Sequence, residues 1–232
     1  MGRRALRKID PNLDLSQHLL VWEQVPSPWN AEALFGRVAD LEVEVGSGKG
    51  LFLSSVATLH PETDYLGIEI AQKYAQYAAA RLARRGLRNA RLLNGDAGRL
   101  FREILSANCL AAVHVYFPDP WWKARHRKRR ILSDTFVRDV QRTLRMGGSL
   151  HFWTDVEEYF QTSLELLADF PAFEGPLPVP ELEPRHDLDY RTHFERRMRA
   201  HGKPVYRSEF RKINNLPARP RTAADSASET VA

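Results

Sequence analysis

Residues 41–50 read LEVEVGSGKG, and this segment is the strongest indication of the fold of the chain. The alternation in LEVEV (41–45) predicts a strand, and the three glycines that follow let the backbone turn sharply into a helix predicted over 49–60. A strand that passes through a glycine loop into a helix N-terminus is typical of the ligand-binding edge of an open parallel sheet. The spacing is G-x-G-x-G, whereas a dinucleotide fingerprint needs its third glycine where this chain has Leu51. The stretch therefore predicts a ligand at the loop but disfavours a nicotinamide enzyme.

Short apolar runs alternate with helical stretches on the C-terminal side of this loop. Strands are predicted at 64–70, 90–94, 111–117, 149–154 and 205–213, and helices at 71–86, at 133–148 and in a short piece ending at Leu105. Ser133 is placed to cap the helix that follows it, and Gly147-Gly148 to end that helix. This alternation predicts an α/β fold with right-handed βαβ units and a mostly parallel sheet covered by helices on both faces.

Three carboxylates lie near the expected ligand edge. Glu69 ends the second strand about 20 residues after the loop, where an acid commonly binds ribose hydroxyls. Glu44 lies in a strand that should be covered on both faces, and a buried acid needs a partner. The ammonium and sulfonium groups of S-adenosylmethionine would suit Glu44, whereas NAD or ATP would bring a polyanion towards it. Asp96, in Asn94-Gly95-Asp96 after the third strand, either meets an adenine ring or belongs to a plain Asx turn.

The basic residues of the chain are concentrated in one segment. The formal net charge is +5, and residues 121–130 (WWKARHRKRR) carry six Lys and Arg residues without an acid, so the remainder is nearly neutral. The segment follows Phe117-Pro118-Asp119-Pro120 at the end of the fourth predicted strand, which places Asp119 at the ligand edge between two prolines. Aromatic rings stack on bases, and Lys and Arg neutralise phosphates. The segment therefore predicts a bound polyanion, with a solvated surface loop as the alternative.

The composition narrows the class of protein. The single cysteine, Cys109, excludes a disulfide framework and Cys-pair zinc sites, and the eight histidines show no metal-ligand spacing. The basic N-terminus has no following apolar run, and no stretch approaches the roughly 18 apolar residues of a membrane span. We expect a cytoplasmic protein without a metal or a membrane partner. We also expect a basic arm at 1–36, the main domain at 37–216 and a disordered tail at 217–232.

The segment F-P-D-P-W at 117–121 and K-x-R-H-x-K-R-R at 123–130 closely resembles the tRNA (guanine-N7-)-methyltransferase family. Further matches in the same order are E-x-G-x-G-x-G at 44–50, G-I-E at 67–69, T-D at 154–155 and T-x-F-E at 192–195. The resemblance implies a Rossmann-like class I methyltransferase fold with a seven-stranded sheet whose last strand is antiparallel. It also implies methyl transfer from S-adenosylmethionine to N7 of a guanosine in the tRNA variable loop, at nucleotide 46.

The resemblance also implies roles for individual residues. The cofactor would be bound by the loop glycines and four acids, namely Glu44, Gly46, Gly48, Gly50, Glu69, Asp96 and Asp119. Asp119 would be the active-site residue. The substrate guanosine would be held by Lys123, Asp155, Thr192 and Glu195. The cations expected to contact tRNA phosphates are Arg125, Arg127, Lys128, Arg129 and Arg130. The chain departs from the family at Trp122, where bacterial members often have His, and in its weakly matching arm.

Other interpretations stay open at this point. Asp155 could cap the following helix, and Thr192 and Glu195 could form a capping box, since both spacings suit these local roles. A class I methyltransferase acting on another RNA or on a small molecule would use the same loop but would leave the basic segment unexplained. A non-catalytic RNA-binding module would bind no S-adenosylmethionine.

Overall fold

The structure, a computed structural model, describes residues 6–180 and 192–219. Contacts group these residues into two compact units, the first formed by 6–97 with 192 and 193, and the second by 98–180 and 194–219. Residues 220–232 of the predicted tail and residues 1–5 of the predicted arm lie outside the described part of the chain. The division into arm, domain and tail stays a prediction.

Four parallel strands form the framework of the first unit. They are β1 (Leu19–Leu20), β2 (Leu41–Val45), β3 (Asp64–Glu69) and β4 (Ala90–Asn94), in the spatial order β1-β4-β3-β2. The helices of this unit are α1 (Ala31–Phe35), α2 (Leu51–Leu59) and α3 (Gln72–Arg84), and α4 begins at its end (Ala97–Arg99). Because the strands are parallel, their carboxyl ends meet at one edge, which carries the glycine loop, Glu69 and Asp96.

Small residues let α3 approach the glycine loop closely. Ala75, Ala78 and Ala79 are fully buried in one cluster with Leu53. A Cβ atom added to Gly50 would lie 2.7 Å from Cβ of Ala78, well inside van der Waals contact. The alanine-rich sequence of α3 therefore does more than favour a helix, because it brings the helix backbone against the loop.

The apolar run of the arm packs on the first unit. Leu19 and Leu20 pair with Leu92 and Leu93 of β4, and the Leu92 N–H donates to the carbonyl oxygen of His18 at 2.8 Å. Further along the chain, Arg37 forms an ion pair of 2.7 Å with the buried Asp64. The arm thus contributes a strand to this unit.

The second unit contains four further strands, of which one is reversed. They are β5 (Leu110–Tyr116), β6 (Leu144–Thr154), β7 (Phe173–Leu177) and β8 (Tyr206–Lys212), in the order β5-β6-β8-β7. β5 and β6 are parallel, and β8 is antiparallel to both of its neighbours. The helices are α5 (Asp134–Thr143), α6 (Glu157–Ala168) and α7 (His193–Ala200), while α4 continues as a π-helical turn over Leu100–Ile104. The reversed last strand confirms what the resemblance implied.

The predicted helix over 133–148 begins as expected but ends early. The Ser133 hydroxyl accepts from the Phe136 N–H at 3.3 Å, which confirms the cap. The helix ends at Thr143, because the buried Leu144 starts β6 and its carbonyl oxygen accepts from the Lys212 ammonium at 2.8 Å. Gly148 serves the strand: a Cβ there would lie 2.9 Å from the Ala111 carbonyl oxygen of β5.

The described residues contain eight strands, one more than the seven expected. The additional strand is β1, whose two residues are too few to show any periodicity in the sequence. The remaining pattern of mostly parallel strands alternating with helices confirms the predicted α/β architecture. No described helix combines the length and the apolar character needed to cross a bilayer.

Candidate active site

The glycine loop leaves its backbone open to a ligand. Gly46, Gly48 and Gly50 have φ angles of +77°, +53° and +65°. Residues other than glycine adopt this left-handed region only at an energetic cost. A Cβ added to Gly46 would have no neighbour within 4 Å, and one on Gly48 would only reach the Gly46 carbonyl oxygen at 4.0 Å. Gly46 and Gly48 therefore allow the left-handed turn and leave the loop backbone accessible to a ligand, whereas Gly50 allows α3 to pack closely against the loop.

Glu44 is a buried acid directly before this loop. The residue is 3% exposed, and its Oε2 atom has no hydrogen-bond partner among the described residues. Burial raises the pKa of the Glu44 carboxyl to about 8, the Ser47 hydroxyl opposes that shift, and the nearby Glu69 adds to it. An uncompensated carboxyl group of this kind suits a cationic ligand group, which would stabilise the charged form.

Glu69, at the end of β3, stabilises the glycine loop through its carboxylate. One carboxylate oxygen accepts from the Gly48 N–H at 2.8 Å, and the other accepts from the Ala71 N–H at 2.8 Å. Each carboxylate oxygen has a second lone pair, so these bonds leave acceptor capacity for ligand hydroxyls. The side chain therefore shapes the loop, a role that the sequence did not reveal.

The edge beyond β4 includes an aromatic residue of the arm. Asn94 donates from its side-chain amide to the Glu69 carbonyl oxygen at 2.9 Å, and Asp96 is exposed two residues later. The ring of Trp22 lies so close to Gly95 that a Cβ there would be 3.2 Å from the indole. Trp22 lies two residues after the end of β1, and the parallel pairing of β1 with β4 brings it to this edge. No pattern in the sequence predicts this contact of Trp22 with Gly95.

Asp119 lies in a strained loop of the second unit. Phe117 and Trp121 have φ angles of +50° and +48°, so left-handed residues stand two positions before and two positions after Asp119. The Phe117 N–H donates to the Trp153 carbonyl oxygen at 2.7 Å, and its ring lies 4.8 Å from that of Phe194. Asp119 itself is exposed, and its carboxylate has no hydrogen bond or ion pair within the described residues.

The basic segment separates into exposed and internal cations. It forms a short 3₁₀ helix over Ala124–Arg129. The exposed cations are Lys123, Arg125, Lys128 and Arg129, and the guanidinium of Arg129 lies 5.1 Å from the centre of the Trp121 ring. Arg127 and Arg130 instead pair with Glu158 of α6, at 3.7 Å and 2.6 Å. The neighbouring Trp122 is 69% exposed.

The remaining candidate residues differ in their surroundings. Asp155 is half-buried at the end of β6, and it does not cap α6: the Val156 N–H donates to the Thr154 hydroxyl at 3.2 Å. Glu195 is buried in α7 and lies 3.5 Å from Arg207 and 3.7 Å from Arg199. Thr192 is half-buried at the residue before α7. The predicted substrate roles of these residues and of Lys123 remain predictions.

Cys109 and two histidines, the buried His114 and the half-buried His151, have surroundings that suit structural roles. Burial raises the pKa of the Cys109 thiol to about 11, so the thiol stays protonated and unreactive near neutral pH. His114 and His151 stack in neighbouring strands with ring centres 4.8 Å apart. Across residues 6–180 and 192–219, no cluster of His, Cys, Asp or Glu has the arrangement of a metal site.

Known proteins resemble this chain over most of its length. A family model described as a putative methyltransferase matches residues 39–208. A tRNA (guanine-N(7)-)-methyltransferase of Rhodopirellula baltica is 52% identical over 218 residues, which cover 91% of this chain and 80% of that protein. Proteins of the same name from Cupriavidus necator and Myxococcus xanthus are 37% and 35% identical. Their alignments cover 90% and 83% of this chain, and 78% and 92% of those proteins.

Solved structures share the fold at low identity. The 16S rRNA methyltransferase KamB is 18% identical with a TM-score of 0.59, covering 79% of this chain and 93% of that chain. The aminoglycoside resistance methyltransferase NpmB1 is 18% identical with a TM-score of 0.53, and the match covers 79% of this chain and 92% of that chain. These likenesses identify a Rossmann-like methyltransferase fold. The family model and the sequence relatives show that the chain belongs to the tRNA (guanine-N7-)-methyltransferase family.

Proposed function

We propose that the protein transfers a methyl group from S-adenosylmethionine to N7 of a guanosine in the variable loop of tRNA. The observation that carries the proposal is the 52% identity with a tRNA (guanine-N7-)-methyltransferase over 91% of this chain. An alignment of that extent includes both the glycine loop and the basic segment. We further propose that the reaction takes place in the cytoplasm, in keeping with the single, unpaired cysteine.

The residues of the first unit fit S-adenosylmethionine. The open backbone of Gly46 and Gly48 admits a ligand, and the buried Glu44 carboxyl group, whose Oε2 atom is unpaired, suits a cationic ammonium. Glu69 would accept from ribose hydroxyls through the lone pairs that the loop does not use, and Asp96 would lie on the adenosine side. When bound, the cofactor supplies a methyl group activated by its sulfonium.

The residues of the second unit suit a guanine acceptor. Guanine N7 has a free lone pair at neutral pH, so no base has to deprotonate it, and positioning and electrostatics are what the protein contributes. We assign Asp119 to the guanine N1–H and amino edge, where a carboxylate would offset the positive charge that the purine gains. Its unpaired, exposed carboxylate supports this assignment. Lys123, Asp155 and Glu195 would hold the same nucleotide, and Thr192, which contacts group with the first unit, is predicted to do so as well.

The exposed cations of the basic segment suit the tRNA backbone. Arg125 and Lys128 have no acidic partner among the described residues, so they are available for phosphate. Such contacts hold a nucleic acid without selecting a base. Recognition of the target guanine then rests on the residues around Asp119.

Nucleoside mass spectrometry tests the proposal. Unmodified tRNA transcripts are incubated with the protein and S-adenosylmethionine, then digested and analysed for 7-methylguanosine. A transcript that carries adenosine in place of the variable-loop guanosine is the matched control, and free guanosine and a ribosomal RNA fragment are the competing substrates. We expect 7-methylguanosine only from the tRNA with the target guanosine. Methylation of the ribosomal fragment or of free guanosine alone would contradict the proposal.

A further inference from the structure

Arg130 is the least exposed cation of the basic segment. Its side chain is 9% exposed, and the guanidinium is enclosed by groups of α6. Two nitrogens donate to Glu158, at 2.6 Å and 3.2 Å, and the guanidinium carbon lies 4.5 Å from the centre of the buried Tyr159 ring. A bidentate ion pair with an aromatic platform fixes both the position and the plane of an arginine. A side chain held in this way is poorly available to a phosphate.

The third nitrogen of the Arg130 guanidinium reaches the loop that carries Asp119. Its Nε–H donates to the carbonyl oxygen of Pro120 at 2.8 Å. Pro120 follows Asp119 directly and precedes Trp121, one of the two left-handed residues of the loop. Left-handed backbone at residues other than glycine is strained and persists only where the surroundings enforce it. The carbonyl group that accepts from Arg130 belongs to the peptide bond between Pro120 and Trp121, so the bond restrains the backbone at this point.

We propose that Arg130 is a positioning residue for Asp119, and that Glu158 and Tyr159 hold its guanidinium against the Pro120 carbonyl oxygen for this purpose. The proposal rests on the proposed function, in which Asp119 acts on the substrate guanine. It removes Arg130 from the predicted phosphate contacts, although the residue belongs to the basic segment by sequence. Only an arginine can make the bidentate pair and the additional bond at once, because its five donors lie in one rigid plane.

The substitution Arg130→Lys tests the proposal, since it keeps the charge and loses the planar arrangement of donors. We expect kcat for tRNA methylation to fall on the order of 10- to 100-fold, as for a displaced active-site group. The KM for tRNA should stay unchanged, and so should the salt dependence of tRNA binding. Hydrogen exchange at the Asp119 and Trp121 amides should accelerate in the variant. Glu158→Gln, which keeps an acceptor for the guanidinium, should show a smaller fall in kcat.

The matched control is Arg138→Lys in the same unit. Arg138 also pairs with an acid, Asp134, at 2.6 Å and lies 5.6 Å from the centre of an aromatic ring, that of Phe170. It has no bond to residues 117–121, so its substitution should leave kcat and the loop amides unchanged. Thermal unfolding of each variant shows that the protein is folded at the assay temperature.

Two results would overturn the proposal. A salt dependence flattened by about 0.7 to 0.9 in Arg130→Gln, which removes the positive charge, would make Arg130 a phosphate ligand. A kcat and loop exchange equal to those of the Arg138→Lys control would leave Arg130 without a positioning role. Absence of tRNA methylation by the unsubstituted protein would instead contradict the proposed function, so the two failures are distinguishable.

Discussion

At the scale of single residues, Glu44 makes the stability of the unliganded protein depend on pH. The pKa of its carboxyl group is about 8 in the folded state, against an ordinary value of 4.5. The folded state therefore holds this proton more tightly than the unfolded state. The resulting stabilisation is complete below pH 4.5 and is lost as the pH rises to about 8.

Glu44→Gln should remove this dependence, because an amide stays neutral over the same range. We expect the free energy of unfolding of the unsubstituted protein, relative to the variant, to fall by a few kcal/mol between pH 5 and pH 8.5. Urea unfolding without cofactor at a series of pH values measures the difference. Parallel curves for the two proteins would show that Glu44 titrates normally.

Glu69 combines a ligand role with support of the loop. Glu69→Ala removes the acceptor of the Gly48 N–H as well as the proposed acceptor of the ribose, so we expect cofactor affinity to fall at least tenfold. Affinity for tRNA should change little. Calorimetry with S-adenosylmethionine provides the measurement, and the exposed Glu62→Ala serves as the control. An unchanged dissociation constant would place Glu69 outside the cofactor site.

Asp119 is tested most sharply by Asp119→Asn, which preserves shape and removes charge. If the carboxylate offsets the charge of the methylated purine, kcat should fall on the order of 10²- to 10³-fold. Circular dichroism should be unchanged, because the side chain is exposed and makes no bond within the described residues. Turnover close to that of the unsubstituted protein would leave Asp119 without a chemical role.

At the scale of elements, the basic segment is heterogeneous in a way its sequence does not show. The combined substitution Arg125→Ala and Lys128→Ala should flatten the plot of log affinity for tRNA against log salt. The expected change is roughly 0.7 to 0.9 for each lost contact. Cofactor affinity should stay constant. Filter binding of tRNA over a salt series measures this slope. A slope equal to that of the unsubstituted protein would indicate that the basic segment is a solvated surface loop without phosphate contacts.

The elements themselves were predictable where local pattern and tertiary packing agree. The strand Ala90–Asn94 has the bounds that its sequence predicts, and Ser133 caps α5 as expected. The end of α5 was not predictable, because Leu144 belongs to β6 and its carbonyl oxygen accepts from Lys212, a residue far along the chain. The bond between the Glu69 carboxylate and the Gly48 N–H was not predictable either, nor was the bond from Arg130 to Pro120. Both depend on which residues the fold brings together.

At the scale of the whole molecule, the alternating pattern sufficed for the fold, and the motifs sufficed for the family. The sequence predicted which residues belong to the candidate site, such as Glu69, but not which groups they contact in the fold. The cations of the basic segment cannot be told apart by sequence, but in the structure Arg127 and Arg130 form ion pairs with Glu158 of α6. The expected roles of the substrate residues depend on the bound guanosine and remain to be tested.

The short strand β1 also governs how the chain behaves when it is shortened. A chain that begins at residue 37 would lose Leu19 and Leu20 and would leave β4 as an open edge with unpaired backbone groups. Such an edge is a template for pairing with another copy, so the shortened protein should self-associate with rising concentration. Sedimentation velocity of the full and the shortened chain measures this, and a shortened chain that stays monodisperse would contradict it. We therefore expect the strand of the arm to prevent self-association in addition to bringing Trp22 to Gly95.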